Sequence, residues 1–284
     1  MPRKIPDVDQ TPNITQNKST MKPKKRISHI VKWIKQYATK SKISTLVVGV
    51  SGGIDSSVVS TLCAMTGLST IVVSMPIYQV SAQKQLSEDH AAWLTHNYAT
   101  VTHINLDLTP VFAAFEQKVG PVCSTDQESN SQEQLAFANS RARLRMMSLY
   151  QIAQCNSGIV VGTGNRVEDF GVGFFTKYGD GGVDISPIGD CLKTDVWDMG
   201  REMGLLQEII DAAPTDGLWN DRRTDEDQLG MTYPELELAM ALDTMVWTEK
   251  LNKDQTRNLQ RYRKIRAANL HKMLPIPVCM IDNN

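Results

Sequence analysis

The chain has few cysteines and no C-x-x-C pair, which excludes a ligand-spaced zinc site and speaks against a disulfide framework. Cys63, Cys123, Cys155, Cys191 and Cys279 are scattered, several of them in apolar settings that suit a small core residue. Neither sign of charge dominates: 30 Lys/Arg against 31 Asp/Glu leave a net charge of −1, so no global field points to nucleic acid or a membrane surface. No apolar run approaches the length of a membrane span, and the polar N-terminus lacks the apolar core of a signal peptide. A cytoplasmic chain that binds neither nucleic acid nor membrane is expected. No internal repeat is apparent. At 284 residues, 41% of them hydrophobic, the chain can bury a full core as one large domain or two small ones.

Against these absences stands one strong local signal. The β-rich stretch Thr45-Leu46-Val47-Val48-Gly49-Val50 runs into Ser51-Gly52-Gly53-Ile54-Asp55-Ser56-Ser57, followed by a helix-compatible segment, Ser56–Met65. Strand, glycine-rich turn and helix together make a phosphate-binding loop. The glycines let the backbone approach an anion, the helix N-terminus supplies N–H groups and a positive dipole end, and the serines add donors. The loop lacks the Walker lysine, so it is not the usual kinase or GTPase cradle. Its wording, S-G-G-x-D-S-S, resembles the pyrophosphate loop of the N-type ATP pyrophosphatases, which adenylate a carbonyl oxygen and release pyrophosphate.

The rest of the chain alternates strand and helix. Residues 1–24, with Pro2, Pro6 and Pro12, read as a flexible polar tail; from Met1 to Arg26 seven Lys/Arg face two Asp/Glu, a solvated basic end. Residues 25–284 read as one domain. Ile27, Ile30, Val31, Ile34 and Tyr37 recur at helical spacing. Strands are expected at Thr45–Val50, Thr70–Met75, Thr100–Asp107 and Gly158–Gly162, and helices at Ser56–Met65, Ala82–Tyr98 and Gln134–Ala153. This predicts an α/β fold, a parallel sheet with helices on both faces and ligands beyond the carboxyl ends of its strands. Ser124–Glu133 and Pro214–Gly230, the latter with Trp219 in its middle, read as long polar loops suited to lids. Lys250–Lys272 is basic at helical spacing, and holding a phosphorylated ligand is one use for it.

Two further strings sharpen the resemblance. Gly162-Thr163-Gly164-Asn165-Arg166-Val167-Glu168 begins at a strand end, and Phe174-Phe175-Thr176-Lys177-Tyr178-Gly179-Asp180-Gly181-Gly182-Val183-Asp184 follows. With the opening loop they resemble the NAD synthetase family, whose members convert deamido-NAD to NAD. The likeness runs from about Ile27 to Pro277 and includes Asn139, Arg143, Lys193, Pro214-Thr215, Thr224-Asp225-Glu226 and His271-Lys272. It implies an adenine nucleotide alpha hydrolase-like, Rossmann-like fold and a ligase that joins ATP, deamido-NAD and ammonia through an adenylated intermediate, releasing AMP and pyrophosphate.

The resemblance also implies roles. Gly49, Val50, Ser51, Gly52, Gly53, Ile54, Asp55 and Ser56 wrap the ATP phosphates, completed by Thr163, with Lys193 and Thr215 reaching them from later loops. Asp55, Lys193 and Thr215 are the expected catalytic set. Asp55 and Glu168, hard oxygen donors, are the expected Mg²⁺ ligands. Asn139, Arg143, Lys177, Asp184, His271 and Lys272 are the expected deamido-NAD contacts, some of them across a homodimer interface. On residue chemistry alone Lys193 could be a surface lysine. Within Gln134–Ala153, Arg141 and Arg145 share one face while Arg143 lies nearly opposite, on a more apolar stripe with Asn139, Met147 and Tyr150. There it needs an anion or carbonyl partner, or else an acid of its own chain.

The chain departs from the common family pattern in three places. Ser74-Met75-Pro76-Ile77-Tyr78-Gln79 lacks an arginine before the Met-Pro, which leaves the ATP-ribose contact open. One extra residue separates Glu168 from Lys177, and Gly164-Asn165 stands where Asp-His is commoner. Fewer than fifty residues precede the phosphate loop, so free ammonia is the expected nitrogen donor, with a separate glutaminase subunit as another source. The competing readings are another amidating or thiolating ATP pyrophosphatase and a non-catalytic nucleotide sensor on the same fold.

Overall fold

The computed structural model describes residues 21–79, 81–123, 130–215, 224–244 and 251–281. Four parallel strands, β1 (Thr45–Gly49), β2 (Ser69–Ser74), β3 (Val101–Asn105) and β4 (Gly158–Val160), lie in the order β3-β2-β1-β4. Each falls within a residue or two of the expected strand. Just past the strand ends, Val50 after β1, Met75 after β2 and Val161 after β4 line one cleft.

Helix α1 (Pro23–Lys40) precedes the sheet, and α2 (Ile54–Met65), α3 (Ser81–Asn97), α4 (Thr109–Cys123) and α5 (Asn130–Cys155) alternate with the strands. In β1, Leu46 and Val48 pack with Ile30 and Ile34 of α1 and Val58 and Leu62 of α2. Val47 between them packs with Phe112 of α4 and Ala153 of α5 on the opposite face. Period-two alternation between two apolar layers places helices on both faces. The buried stripe of α1 continues through Ala38, not Tyr37, which is 38% exposed and lies against Trp33 on the outer side. The step from 34 to 38 keeps the face that 37 leaves.

The chain winds β1-β2-β3 in one direction and then returns to place β4 on the other side of β1. Between β1 and β4 the strand order reverses, and a crevice opens at their carboxyl ends. Both acids expected to hold metal follow those two strands.

The second half is helical. A π-helix (Arg166–Val172) follows β4, then α6 (Lys193–Glu202), α7 (Gln207–Asp211), α8 (Asp225–Leu229), α9 (Tyr233–Thr244) and α10 (Lys253–Met273). Val167 and Val172 of the π-helix form a second core with Tyr233, Leu236 and Met240 of α9 and Tyr262 of α10. No helix among the described residues is long and apolar enough to cross a membrane. Of the two expected lids, residues 124–129 and 216–223, including Trp219, lie outside the described residues. Asn130–Glu133 is the first turn of α5, and Thr224 caps α8 by a reciprocal bond with Asp227, so neither expected loop is irregular throughout.

Candidate active site

The phosphate loop is braced by its own serines before any ligand arrives. The Ser51 N–H donates to Ser56 Oγ at 3.2 Å, the Gly53 N–H donates to Ser51 Oγ at 3.2 Å, and Ser56 Oγ donates to the Gly53 carbonyl at 3.0 Å. Gly52 is demanded twice over. Its φ is +85°, and a Cβ there would meet backbone and side-chain atoms of Gln83, Leu86 and Ser87 at 2.9 Å. Helix α2 then begins at Ile54 with Asp55 in its first turn.

Asp55 and Glu168 meet on Lys193. The Lys193 ammonium donates to Asp55 Oδ2 at 2.5 Å and to Glu168 Oε1 at 2.9 Å, and it stands 4.8 Å from the centre of the Tyr233 ring. Its side chain is 2% exposed, which rules out a surface lysine. Burial pulls the ammonium toward neutrality, but the two carboxylates outweigh it and hold its pKa above the usual lysine value. Burial likewise pushes Glu168 up, and Lys193 with the Tyr233 hydroxyl reverses this, holding it below the carboxylate range. For Asp55 burial wins over Lys193 and the pKa is raised.

Asn165 ties these parts together. Its side-chain oxygen caps the π-helix by accepting from the N–H groups of Val167 and Glu168. The amide nitrogen is thereby aimed the other way, and it donates to Asp55 Oδ1 at 3.0 Å. One buried side chain thus fixes both the helix that carries Glu168 and the acid that faces it.

The turn that carries Glu168 is a π-helical one, wider than an α-helical turn. It winds less per residue, so Asp169 joins Glu168 in lining the cleft. A Cβ on Gly164 would lie 1.9 Å from Asp169 Oδ2, so the glycine at 164 makes room for the acid at 169. Burial, then Asp180, Glu168 and Asp55, hold Asp169 well above the usual carboxylate range.

The carbonyls left open at the end of the π-helix are met by α10. Arg266 donates to the carbonyls of Phe170 and Gly171, Asn269 to Val172, and Lys272 to Gly173 and Phe175. Arg266 and Lys272 of the basic Lys250–Lys272 stretch therefore serve this helix end. Only Lys272 of its last turn also lines the cleft.

The cleft, about 410 Å³, is lined by the loop from Gly49 to Ser56 and by Asn139, Thr163, Glu168, Lys193, Thr215 and Lys272, a volume suited to one small-molecule ligand. Asn139 is held by the Thr176 hydroxyl at 2.6 Å. The other expected dinucleotide contacts lie elsewhere. Arg143 Nε donates to the Lys177 carbonyl at 3.3 Å, and Lys177 Nζ donates to the His271 carbonyl at 2.8 Å, forming an outer cluster. Asp184 accepts from the Val160 N–H and the Tyr150 hydroxyl at the carboxyl end of β4. The stripe Asn139-Arg143-Met147 is not a buried apolar face: Arg143 is exposed and Met147 is 59% exposed.

The arginine that enters the cleft is Arg145, whose Nε donates to the Met75 carbonyl at 2.9 Å. Burial, with Arg141 nearby, lowers its pKa to about 10. It brings a cation to the end of β2, where Ser74 precedes Met75-Pro76. Arg145, Asn165, Asp169 and Tyr233 were not singled out as site residues from the sequence. Only the alternation Arg141-Arg143-Arg145 carried a signal, since its members face different sides of one helix.

A metal fits the acids. Asp55 and Glu168 bring two buried negative charges against one lysine, and Asp225, 5% exposed, adds a third acid through Tyr233. Among the described residues no group of three or more potential ligands could form an all-protein cage. Mg²⁺ suits that donor set, since it binds through one or two carboxylates plus substrate phosphates and water.

Comparison with known proteins agrees with this fold. The NAD synthase family model matches residues 26–274. An NH(3)-dependent NAD(+) synthetase of Carboxydothermus hydrogenoformans is 35% identical over 209 residues, 73% of this chain and 81% of that protein. One from Methanosarcina acetivorans is 32% identical over 88% of this chain and 96% of its own length. Among solved structures, NMN synthetase from Francisella tularensis superposes with a TM-score of 0.77 at 29% identity, covering 93% of this chain and all of that one. With a family match across most of its length and relatives of this identity and coverage, the chain belongs to the NAD synthase family.

Proposed function

We propose that the protein is an ammonia-dependent ligase that amidates deamido-NAD to NAD at the expense of ATP. The observation that carries this reading is the meeting of a lysine-free phosphate loop and a buried Asp55-Lys193-Glu168 knot at one strand-order reversal, in a chain of this family. The nicotinate carboxylate is a poor electrophile. An oxygen of that carboxylate attacks the α-phosphorus of ATP and pyrophosphate leaves; ammonia then attacks the acyl carbon and AMP leaves with the electron pair of the broken C–O bond.

The chain's own groups serve the first step by position and charge. The loop N–H groups and the hydroxyls of Ser51 and Ser56 hold phosphate oxygens, Thr163 and Thr215 close around them, and Lys193 offsets charge on the departing pyrophosphate. Asp55 and Glu168 would hold Mg²⁺, which when bound neutralises phosphate charge and orients the leaving group. Asn139 and Lys272 face the acceptor from the other wall.

Arg143, Lys177 and His271 lie outside the cleft of their own chain, on the outer end of a stripe that exposes Leu135 and Met147. They suit the deamido-NAD bound by a second copy, so the active unit is a two-fold homodimer with shared sites. Asp184, bonded to Val160 and Tyr150, would join the dinucleotide site by releasing Tyr150.

The test is incubation with ATP, Mg²⁺, ammonium and deamido-NAD. NAD, AMP and pyrophosphate in equal amounts are expected; ADP as the stoichiometric product would overturn the mechanism. Because an NMN synthetase superposes on nearly the whole chain, nicotinic acid mononucleotide is the second acceptor to assay. A higher kcat/KM for it would move the substrate while keeping the chemistry. Glutamine in place of ammonium should give no product from this chain alone.

A further inference from the structure

We propose that Tyr233 is a positioning residue for the reaction, fixing Glu168 and Lys193 so that a divalent cation can join Asp55 and Glu168. The inference deepens the metal-dependent reading above and rests on it. Tyr233 is fully buried at the start of α9, in the second core and outside the cleft lining. Its hydroxyl donates to Glu168 Oε1 at 2.6 Å. Lys193 donates to that same oxygen at 2.9 Å. Two donors on one oxygen stop the carboxyl from turning, and neither of them engages Oε2.

The ring does separate work. Lys193 Nζ stands 4.8 Å from its centroid, so the two ammonium bonds to Asp55 and Glu168 are joined by a cation–π contact beneath the ammonium group. The ring is itself fixed from two directions. Trp197 of α6 packs against it at 5.7 Å and 88°, and the Tyr233 N–H donates to Glu226 Oε1 at 3.0 Å. Asp225 Oδ2 lies 3.2 Å from the hydroxyl, so the phenol spans two acids with one proton and gives it to the nearer. Outer partners of metal ligands act in this way, and their loss weakens metal binding by about ten- to a hundredfold.

The test uses the full chain and two readouts: binding of Mn²⁺ in the presence of α,β-methylene ATP, followed by electron paramagnetic resonance, and the Mg²⁺ dependence of turnover. Tyr233→Phe keeps the ring and removes the hydroxyl. It should weaken Mn²⁺ binding about tenfold and raise the half-saturating Mg²⁺ similarly, with the KM for deamido-NAD changed less than about twofold. Trp197→Phe disturbs the same packing but keeps the hydroxyl, and should weaken Mn²⁺ binding much less than Tyr233→Phe does even where thermal stability falls. Wild-type Mn²⁺ affinity in Tyr233→Phe, or equal weakening in Trp197→Phe, would overturn the proposal. A double-mutant cycle with Glu168→Gln gives a second check: Tyr233→Phe should add little loss once Glu168 is neutral, and full additivity would also overturn it. A wild-type chain that binds Mn²⁺ with the nucleotide yet makes no NAD would defeat the function and leave this positioning role intact. A wild-type chain that binds no Mn²⁺ would defeat the positioning role.

Discussion

The inner knot and the outer cluster use the same kinds of residue in opposite ways. Inside, Lys193 is paired with two carboxylates, and the Asp55, Glu168 and Lys193 side chains are 17%, 15% and 2% exposed. Asn165 and Tyr233 hold those carboxylates from behind. Outside, Arg143 and Lys177 spend their donors on the backbone carbonyls of Lys177 and His271, and no carboxylate bond to either is among the ion pairs described. The inner region is organised before ligand binds, as electrostatic stabilisation of a developing charge requires. The outer region holds its cations by backbone carbonyls, which suits the contact with a second copy proposed above.

The largest expected effect comes from breaking the inner knot. Lys193→Met keeps the length of the side chain and removes the charge, leaving two buried carboxylates facing each other. Removing one partner of a buried ion set costs about 3–5 kcal/mol, and turnover should fall by at least about a hundredfold with the loss of a fixed cation beside the phosphates. Urea denaturation and steady-state rates check both. A variant as stable as wild type would show that the knot is not an organising element, and the contrast between the regions would collapse.

Much of this contrast was legible in the sequence, and the limits have physical causes. The strand, loop and helix around Gly49–Ser56 were readable because glycine, serine and apolar β-runs carry local information. Lys193 was readable as a functional cation by resemblance, yet its partners were not, because a contact spanning 138 residues leaves no local pattern. The π-helix could not be read at all. Its sequence, Arg166–Val172, has no period of its own, and it is held by carbonyl bonds from α10, nearly a hundred residues away. The basic stretch was correctly helical but its purpose was hidden, since a lysine that binds a phosphate and one that caps a helix end look alike in sequence. Arg143 shows the reverse failure: its stripe contains Met147 and so reads as apolar, but it is exposed.

A middle-sized effect concerns the layer between α2 and α3, behind the phosphate loop's helix. His90 of α3 is fully buried behind α2, with Nε2 2.8 Å from Ser60 Oγ. Burial lowers its pKa to about 4 from the ordinary 6.5. The folded value lies below the unfolded one, so the unfolded chain binds the extra proton between those limits. Stability from the neutral ring is complete above about pH 6.5 and is lost as pH falls toward 4, up to about 3 kcal/mol. His90→Leu leaves Ser60 bonded to the Ser57 carbonyl and should flatten this part of the profile. Chemical denaturation from pH 7.5 to 4 measures the difference between the two proteins. A constant difference across that range would show that His90 does not carry acid sensitivity in the α2–α3 layer.

The smallest expected effect is on the outer region, and it tests the other half of the contrast. Arg143 is exposed and holds one carbonyl at 3.3 Å, so Arg143→Ala should change stability by less than about 0.5 kcal/mol. If the guanidinium serves the acceptor substrate, the KM for deamido-NAD rises about tenfold while the KM for ATP stays within about twofold, because only one substrate loses a donor. Sharing of sites adds a stricter condition. A heterodimer of an Arg143→Ala chain and an Asp55→Asn chain has one site with both groups intact and one with neither. In a random equal mixture half of the dimers are of this kind, so about a quarter of wild-type activity should return at low deamido-NAD. Subunit exchange, followed by mass, must accompany the assay. Full exchange with no recovery, or a wild-type chain that sediments as a monomer at assay concentration, would place Arg143 and Asp55 in one chain's site and turn the outer cluster into ordinary surface.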